Sequence, residues 1–314
     1  MKKNETFFSI LVLAAAMLWG TTGTAQSFAP PGASPLSVGS VRLAVGGAAL
    51  LIFAWQQGAL GERTIWYNGT TFLAAGCIAA YQLFFFAGVL KTGVAVGTVV
   101  TIGSAPVFAG LISLIYRREN PGLKWAFATL LAVLGCILLI TGGQKLSVNY
   151  IGIFLALGAG ISYALYAAVN KELLESHHPE AVTGVVFFIG ALFLSPVLFF
   201  YDLGWLRTMQ GIGVALHLGL IATALSYVLF SHGLAKIPFP KAVTLSLAEP
   251  VTAAALGLFL LKEKLSLVSQ AGMILVFAGL VILSLAGLRK KRIEDDTGGR
   301  FWCVISVLDR DGYF

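Results

Sequence analysis

One constraint governs this chain: runs of about 20 apolar residues recur along its whole length, joined by loops too short to hold a domain. Ten runs stand at 7–27, 36–56, 69–90, 93–115, 123–142, 150–170, 181–201, 211–234, 240–261 and 266–288. At a rise of about 1.5 Å per residue, each is long enough to cross a hydrocarbon core of about 30 Å. Inside lipid every backbone N–H and C=O must be satisfied within the protein, which leaves helices or closed barrels. The runs lack the strict alternation of barrel strands. The expected fold is therefore all-α and integral to the membrane, with ten transmembrane helices.

Composition closes off other classes. Only 11% of the 314 residues are charged and 58% are hydrophobic, where soluble domains carry roughly 25% charge. The net charge of +7 is scattered over short loops and the run "RKKR" at 289–292, with no basic face. The partner it implies is the lipid bilayer and not nucleic acid. Cys77, Cys136 and Cys303 have neither disulfide nor metal spacing. No phosphate loop, zinc, haem or nucleophile motif is present, so no cofactor and no metal are expected. An intramembrane enzyme acting on lipid would need clustered acids, histidines or metal ligands at depth. The spans offer Glu249 and the separated His217 and His232. The loop pair His177-His178 reads as solvated. Lys2-Lys3 before an apolar run, with "GTA" at 23–25, has the form of a secretory signal, but the repeat below needs this segment as a permanent span.

With the N-terminus inside, the cytoplasmic segments hold thirteen Lys and Arg and the outer loops five. The excess places both termini in the cytoplasm and the chain in the cell membrane. The tail, 289–314, is then cytoplasmic, and its run "FWCVISVL" is too short to span.

The chain also repeats itself. "SAPVFAGLISLIYRRENPG" at 104–122 resembles "AEPVTAAALGLFLLKEKLS" at 248–266, at an offset of 144 residues. The same offset places Pro106 on Pro250, Gly135 on Gly279, Pro35 on Pro179 and Trp19 on Tyr163. Near "FFFAGVLK" and "LFSHGLAK" the offset is 145, so one residue is inserted there. Two halves of five spans follow, 7–142 and 150–288. Five is odd, so the second half enters from the opposite side and the repeats are inverted. Two inverted bundles able to rock about a shared site suit a secondary transporter working by alternating access. A channel would show bulk conductance and a scaffold no flux. No ATP-binding motif is present, so energy comes from a solute gradient, exchange or protons.

"AMLWGTTGTAQ" in the first span, the Arg42-containing start of the second, "AEPVTAAALGLFLLKEKLS" in the ninth, and the ten spans in two halves resemble the EamA-type transporters of the drug/metabolite transporter superfamily. The resemblance covers about residues 7–288. It implies a central cavity lined by spans 1, 3, 4, 6, 8 and 9, and movement, often outward, of small metabolites such as amino acids, amines, sugars and aromatic compounds. Trp19, Glu249, Pro250 and Glu263 match the family pattern. Ala105 stands in the first half where Glu249 stands in the second, so an acid-dependent role falls to one half only.

Several residues could carry transport. Glu249 lies near mid-membrane, where a charge needs a partner or water. It is either a site acid (for a cationic group or a proton) or a structural acid bonding the backbone freed by Pro250. Pro250 and Pro106 are expected to form matched kinks. Arg42 could bind a carboxylate or fix packing. Tyr163, Tyr166 and Asn170 share one helix face, and Thr98 and Thr101 another. Tyr81 and Gln82, Ser226 and Tyr227, and the deep Trp19 complete the candidate substrate-binding set. Together they describe an aromatic, amphipathic pocket of low charge, suited to zwitterionic or weakly polar aromatic solutes. Small-residue spacing such as Gly93 and Gly97 serves close helix approach within a chain or between chains, so monomer and homodimer both stay open.

Overall fold

The structure is a computed structural model that describes residues 2–61, 64–142, 149–260, 266–285 and 291–292. Among the described residues, ten helices are long and apolar enough to cross a membrane: Glu5–Ser27, Pro35–Gln56, Gly69–Thr92, Val96–Ile115, Leu123–Thr141, Tyr150–Ser176, Pro179–Phe200, Met209–Lys236, Phe239–Phe259 and Leu267–Leu285. These are spans 1 to 10 in chain order. Glu263 and most of the tail, with Cys303, lie outside the described residues.

Local chemistry starts the helices where the apolar runs begin. Ser34, Asn68 and Asn149 accept hydrogen bonds from first-turn N–H groups of spans 2, 3 and 6, satisfying donors that have no helical partner. Pro35 and Pro179 open spans 2 and 7, where a missing N–H costs nothing. The turn from span 3 into span 4 is made at Gly93, whose φ of 83° other residues rarely adopt.

The packing carries the inverted two-fold. Spans 2 and 7 pack on each other, as do spans 5 and 10. Span 3 lies along span 6 and its counterpart, span 8, along span 1; likewise span 4 lies on span 6 and span 9 on span 1. The correspondence reaches single atoms. A Cβ on Gly135 would lie 2.7 Å from the Gly272 carbonyl oxygen, and one on Gly279 would lie 2.7 Å from that of Ala128. These two contacts exchange at the offset of 144. Between lipid-embedded helices such small-residue contacts supply close packing that the hydrophobic effect does not.

Two spans depart from regular helix, both in the second half. Span 8 is π-helical from His217 to Leu225, with the Thr223 hydroxyl donating to the Leu218 carbonyl at 2.8 Å. A π-helical stretch absorbs an inserted residue without breaking the helix, and this one lies in the interval over which the repeat offset rises from 144, at Pro35 and Pro179, to 145, at 84–91 and 229–236. Span 9 is two helices, Phe239–Leu245 and Ala248–Phe259. The Glu249 N–H bonds the Ser246 carbonyl at 3.0 Å, the acceptor that an ordinary N–H at position 250 would have used. Pro250 thus sits in the first turn of a new half-helix, whereas Pro106 lies inside an unbroken one, Val94–Ile115. The expected matched kinks are equivalent positions in unlike local structures.

Span 6 runs six residues past its expected end at 170. Lys171, expected in a loop, is buried and donates to the carbonyls of Leu234 and Ala235 at 2.7 and 2.9 Å. It caps the C-terminal turn of span 8, where carbonyls lack helical partners. Lys241, expected at the cytoplasmic edge of span 9, is fully buried there, with Nζ 3.0 Å from Glu5. The same end of the bundle holds an Arg117–Glu175 pair between spans 4 and 6, a His232–Glu180 contact of 3.0 Å between spans 8 and 7, and a Tyr116–Glu172 hydrogen bond of 3.0 Å. Burial and that bond push the Tyr116 phenol above its ordinary pKa.

Candidate functional site

An aromatic cluster fills the centre where the halves meet. Trp19 of span 1 lies 4.9 Å from Tyr227 and 5.3 Å from Phe230 of span 8, ring centre to ring centre, and edge-on to Tyr163 of span 6. Tyr81 of span 3 lies 5.7 Å from Tyr163. Tyr166 lies 6.3 Å from Tyr163, and Phe187 of span 7 packs 4.3 Å from Tyr227. Such rings present large apolar faces with polar edges. The Tyr163 hydroxyl and the Ser246 hydroxyl share a hydrogen bond of 2.9 Å, which ties span 6 to the break in span 9.

Two charges border this cluster. Arg42 of span 2 is 7% exposed, and its Nε has no hydrogen-bond partner among the described residues. Glu249 is half-buried between the buried Ala248 and Pro250, in the first turn of the second half-helix of span 9. There its carboxylate meets the positive end of the helix dipole. Arg42 and Glu249 lie within electrostatic reach of each other and of Tyr227 and Tyr81. Among the described residues no ion pair joins them. The indole N–H of Trp19, the hydroxyl of Tyr166 and the amide of Asn170 are also buried without partners among the described residues. Buried polar groups without partners are rare, at a cost of about 1–3 kcal/mol each.

The expected residues thus divide. Trp19, Arg42, Tyr81, Tyr163, Tyr166, Tyr227 and Glu249 come together. Thr101 donates instead to the Ala156 carbonyl at 3.0 Å, joining spans 4 and 6. Ser226 donates to the carbonyls of Ala222 and Thr223 at the end of the π-helical stretch. Asn170 is fully buried beside Lys171, one turn beyond Tyr166, and Gln82 is buried in span 3. Thr98 is half-buried near the start of span 4. His217 bonds Thr21 at 2.9 Å. Spans 2 and 7, outside the lining that the resemblance implies, supply Arg42 and Phe187. Sequence reasoning missed Phe187, Phe230 and Ser246. The phenylalanines look like any other lipid-span apolar residue; Ser246 had a signal, three residues before Glu249.

Comparison with known proteins fits this architecture. The profile of the EamA-like transporter family matches residues 6–141 and again 150–285. The uncharacterized transporter YwfM of Bacillus subtilis is 44% identical over 294 residues, covering 94% of this chain and 98% of that protein. The threonine/homoserine exporter RhtA of Escherichia coli K12 is 27% identical over 296 residues, covering 91% and 94%. A solved crystal structure shares the fold with a TM-score of 0.75 at 17% identity, over 88% of this chain and 95% of that one. Two family matches, one on each five-span half, and the aromatic centre between them make this chain a member of the EamA-like transporter family, a multi-pass membrane transporter and not an enzyme.

Proposed function

We propose that the protein is a secondary transporter of the cell membrane that exports small metabolites by alternating access, its halves 7–142 and 150–288 rocking about the aromatic centre. The observation that carries this reading is that each half brings one central aromatic, Trp19 or Tyr163, and one charge, Arg42 or Glu249, to the same place. Rocking of inverted halves changes which face of such a site is open. Amino acids, amines and aromatic solutes fit a pocket with aromatic walls and two opposed charges. The naming of RhtA as a threonine/homoserine exporter supports amino-acid-sized solutes and outward movement. Counterflow in proteoliposomes tests this: uptake of a labelled solute should be driven by internal unlabelled solute. No flux of any amino acid, amine, nucleoside or sugar would overturn it.

Glu249 is the candidate for proton coupling, because it stands at mid-membrane in one half only. Glu249→Gln should abolish the dependence of flux on an imposed pH gradient; unchanged dependence removes this role. The charge bias places both termini, and the tail 289–314, in the cytoplasm. In a chain lacking native cysteines, a cysteine at Gln57 should be shielded from an impermeant thiol reagent in whole cells and one at Pro31 labelled.

A further inference from the structure

We infer that the site binds its solute as a zwitterion, with the solute's carboxylate on Arg42 and its ammonium on Glu249. This deepens the transporter reading above and rests on it. Three observations carry it. Both charges flank the aromatic centre: a Cβ on Gly20, next to Trp19, would lie 2.7 Å from the Glu249 carbonyl oxygen, and one on Gly46, one turn beyond Arg42, would lie 2.5 Å from Thr223 Cγ2, one turn before Tyr227. Among the described residues no ion pair joins them, so each retains bonding capacity toward a third group. The Arg42 Nε is buried with no hydrogen-bond partner among the described residues, and a guanidinium is built to meet a carboxylate with two parallel N–H donors. Glu249 keeps reachable surface although the residues on either side of it are buried, and a carboxylate can only accept, which suits an ammonium.

The pair also breaks the two-fold. At the offset of 144, Arg42 falls on Val186 and Glu249 on Ala105. The first half therefore supplies the cation alone and the second half the acid alone. A solute bearing both charges bridges the halves; one bearing a single charge engages one half and leaves the opposite charge unmatched in a poorly solvated site. Trp19, Tyr163 and Tyr227 then face the remainder of the solute with apolar ring surface. Proton and ammonium compete for the same carboxylate, so the proposed proton coupling needs no second acid.

The test uses purified full-length protein in detergent with thermal-shift and direct binding readouts. The twenty common amino acids come first. The best binder is then compared with its decarboxylated amine and its deaminated acid; for threonine these are 1-aminopropan-2-ol and 3-hydroxybutanoate. Each analogue should bind at least about tenfold more weakly than the zwitterion. In Glu249→Gln the gap between zwitterion and deaminated acid should close, and in Arg42→Gln the gap between zwitterion and amine should close. If a variant does not elute as a single species, the wild-type analogue series decides alone. An amine or an acid that binds as well as the zwitterion overturns the proposal, as does a variant that keeps both gaps. If sugars or nucleosides are transported and no amino acid binds, transport stands and this proposal falls. If no solute of any class binds or moves, the transporter reading itself falls.

Discussion

Trp19 and Tyr163 meet edge to face, with ring centres 6.3 Å apart and planes 88° to each other. They are the same position in the two repeats, so the pseudo-two-fold axis passes between two aromatic rings. Neither ring can move with its own half without changing this contact. A pair worth about 0.5–1.5 kcal/mol beyond burial therefore sits where the halves would slide. Trp19→Ala is expected to lower the apparent affinity for solute by at least about tenfold while the protein still elutes as a single species. Trp19→Phe, which keeps an aromatic face, should recover most of it. Counterflow at a series of solute concentrations measures both.

The Tyr163–Ser246 hydroxyl bond braces the break in span 9 against span 6. Tyr163→Phe and Ser246→Ala should each cost about 1 kcal/mol of stability, and the double variant little more than either single one. Thermal unfolding in detergent, arranged as a double-mutant cycle, reads the coupling.

Small residues set how closely spans 5 and 10 approach. A Cβ on Gly135 would lie 2.6 Å from the backbone nitrogen of Val276. Gly135→Val should destabilise by about 1–3 kcal/mol or more. Gly103→Ala is the control, since its Cβ would meet only Val133 Cγ1 at 3.8 Å. It should be neutral or stabilising by up to about 1 kcal/mol. Fluorescence-detected size exclusion after graded heating separates the two outcomes.

Lys241 is buried without exposed surface and faces Glu5 across the start of spans 1 and 9. Removing the acid alone, as Glu5→Ala, should destabilise by roughly 1–3 kcal/mol, less than a fully buried pair because Glu5 keeps some exposure. Glu5→Ala combined with Lys241→Met should be more stable than Glu5→Ala. A double variant less stable than either single one would show that Lys241 serves the fold through its other contacts.

The π-helical stretch of span 8 lies in the interval over which the second repeat carries one residue more than the first. Deleting Leu220, an exposed residue within it, should return the stretch to α-helix and leave the protein folded. Deleting Ala79 from the regular span 3 should rotate everything beyond it by about 100° and abolish folding. Yield and monodispersity of the two deletions make the comparison.

The ten spans, their short connections and the inverted repeat were legible in the sequence because each depends on local facts. A run of about 20 apolar residues has one economical state in lipid, whatever its neighbours are. An odd number of spans per repeat then forces the inversion. The capping residues Ser34, Asn68 and Asn149 act within their own first turn. Span edges were less legible where tertiary contacts extend a helix: span 6 continues through Lys171 because the carbonyls ending span 8 receive its ammonium. In the sequence Lys241 reads as a cation at the cytoplasmic edge of span 9; its full burial rests on contacts such as that with Glu5, at the far end of the chain, which no local pattern reveals.

The site divides in the same way. Trp19, Glu249 and the Tyr163–Tyr166 face could be named from residue type and depth alone. Their arrangement required the fold. That Phe187 packs on Tyr227, that Pro250 opens a half-helix while Pro106 does not, and that the Arg42 Nε is buried without a partner among the described residues all depend on contacts between distant segments. Hydrophobic periodicity reports how a residue meets lipid or protein along its own helix. It carries no information about which side chain of another helix stands opposite.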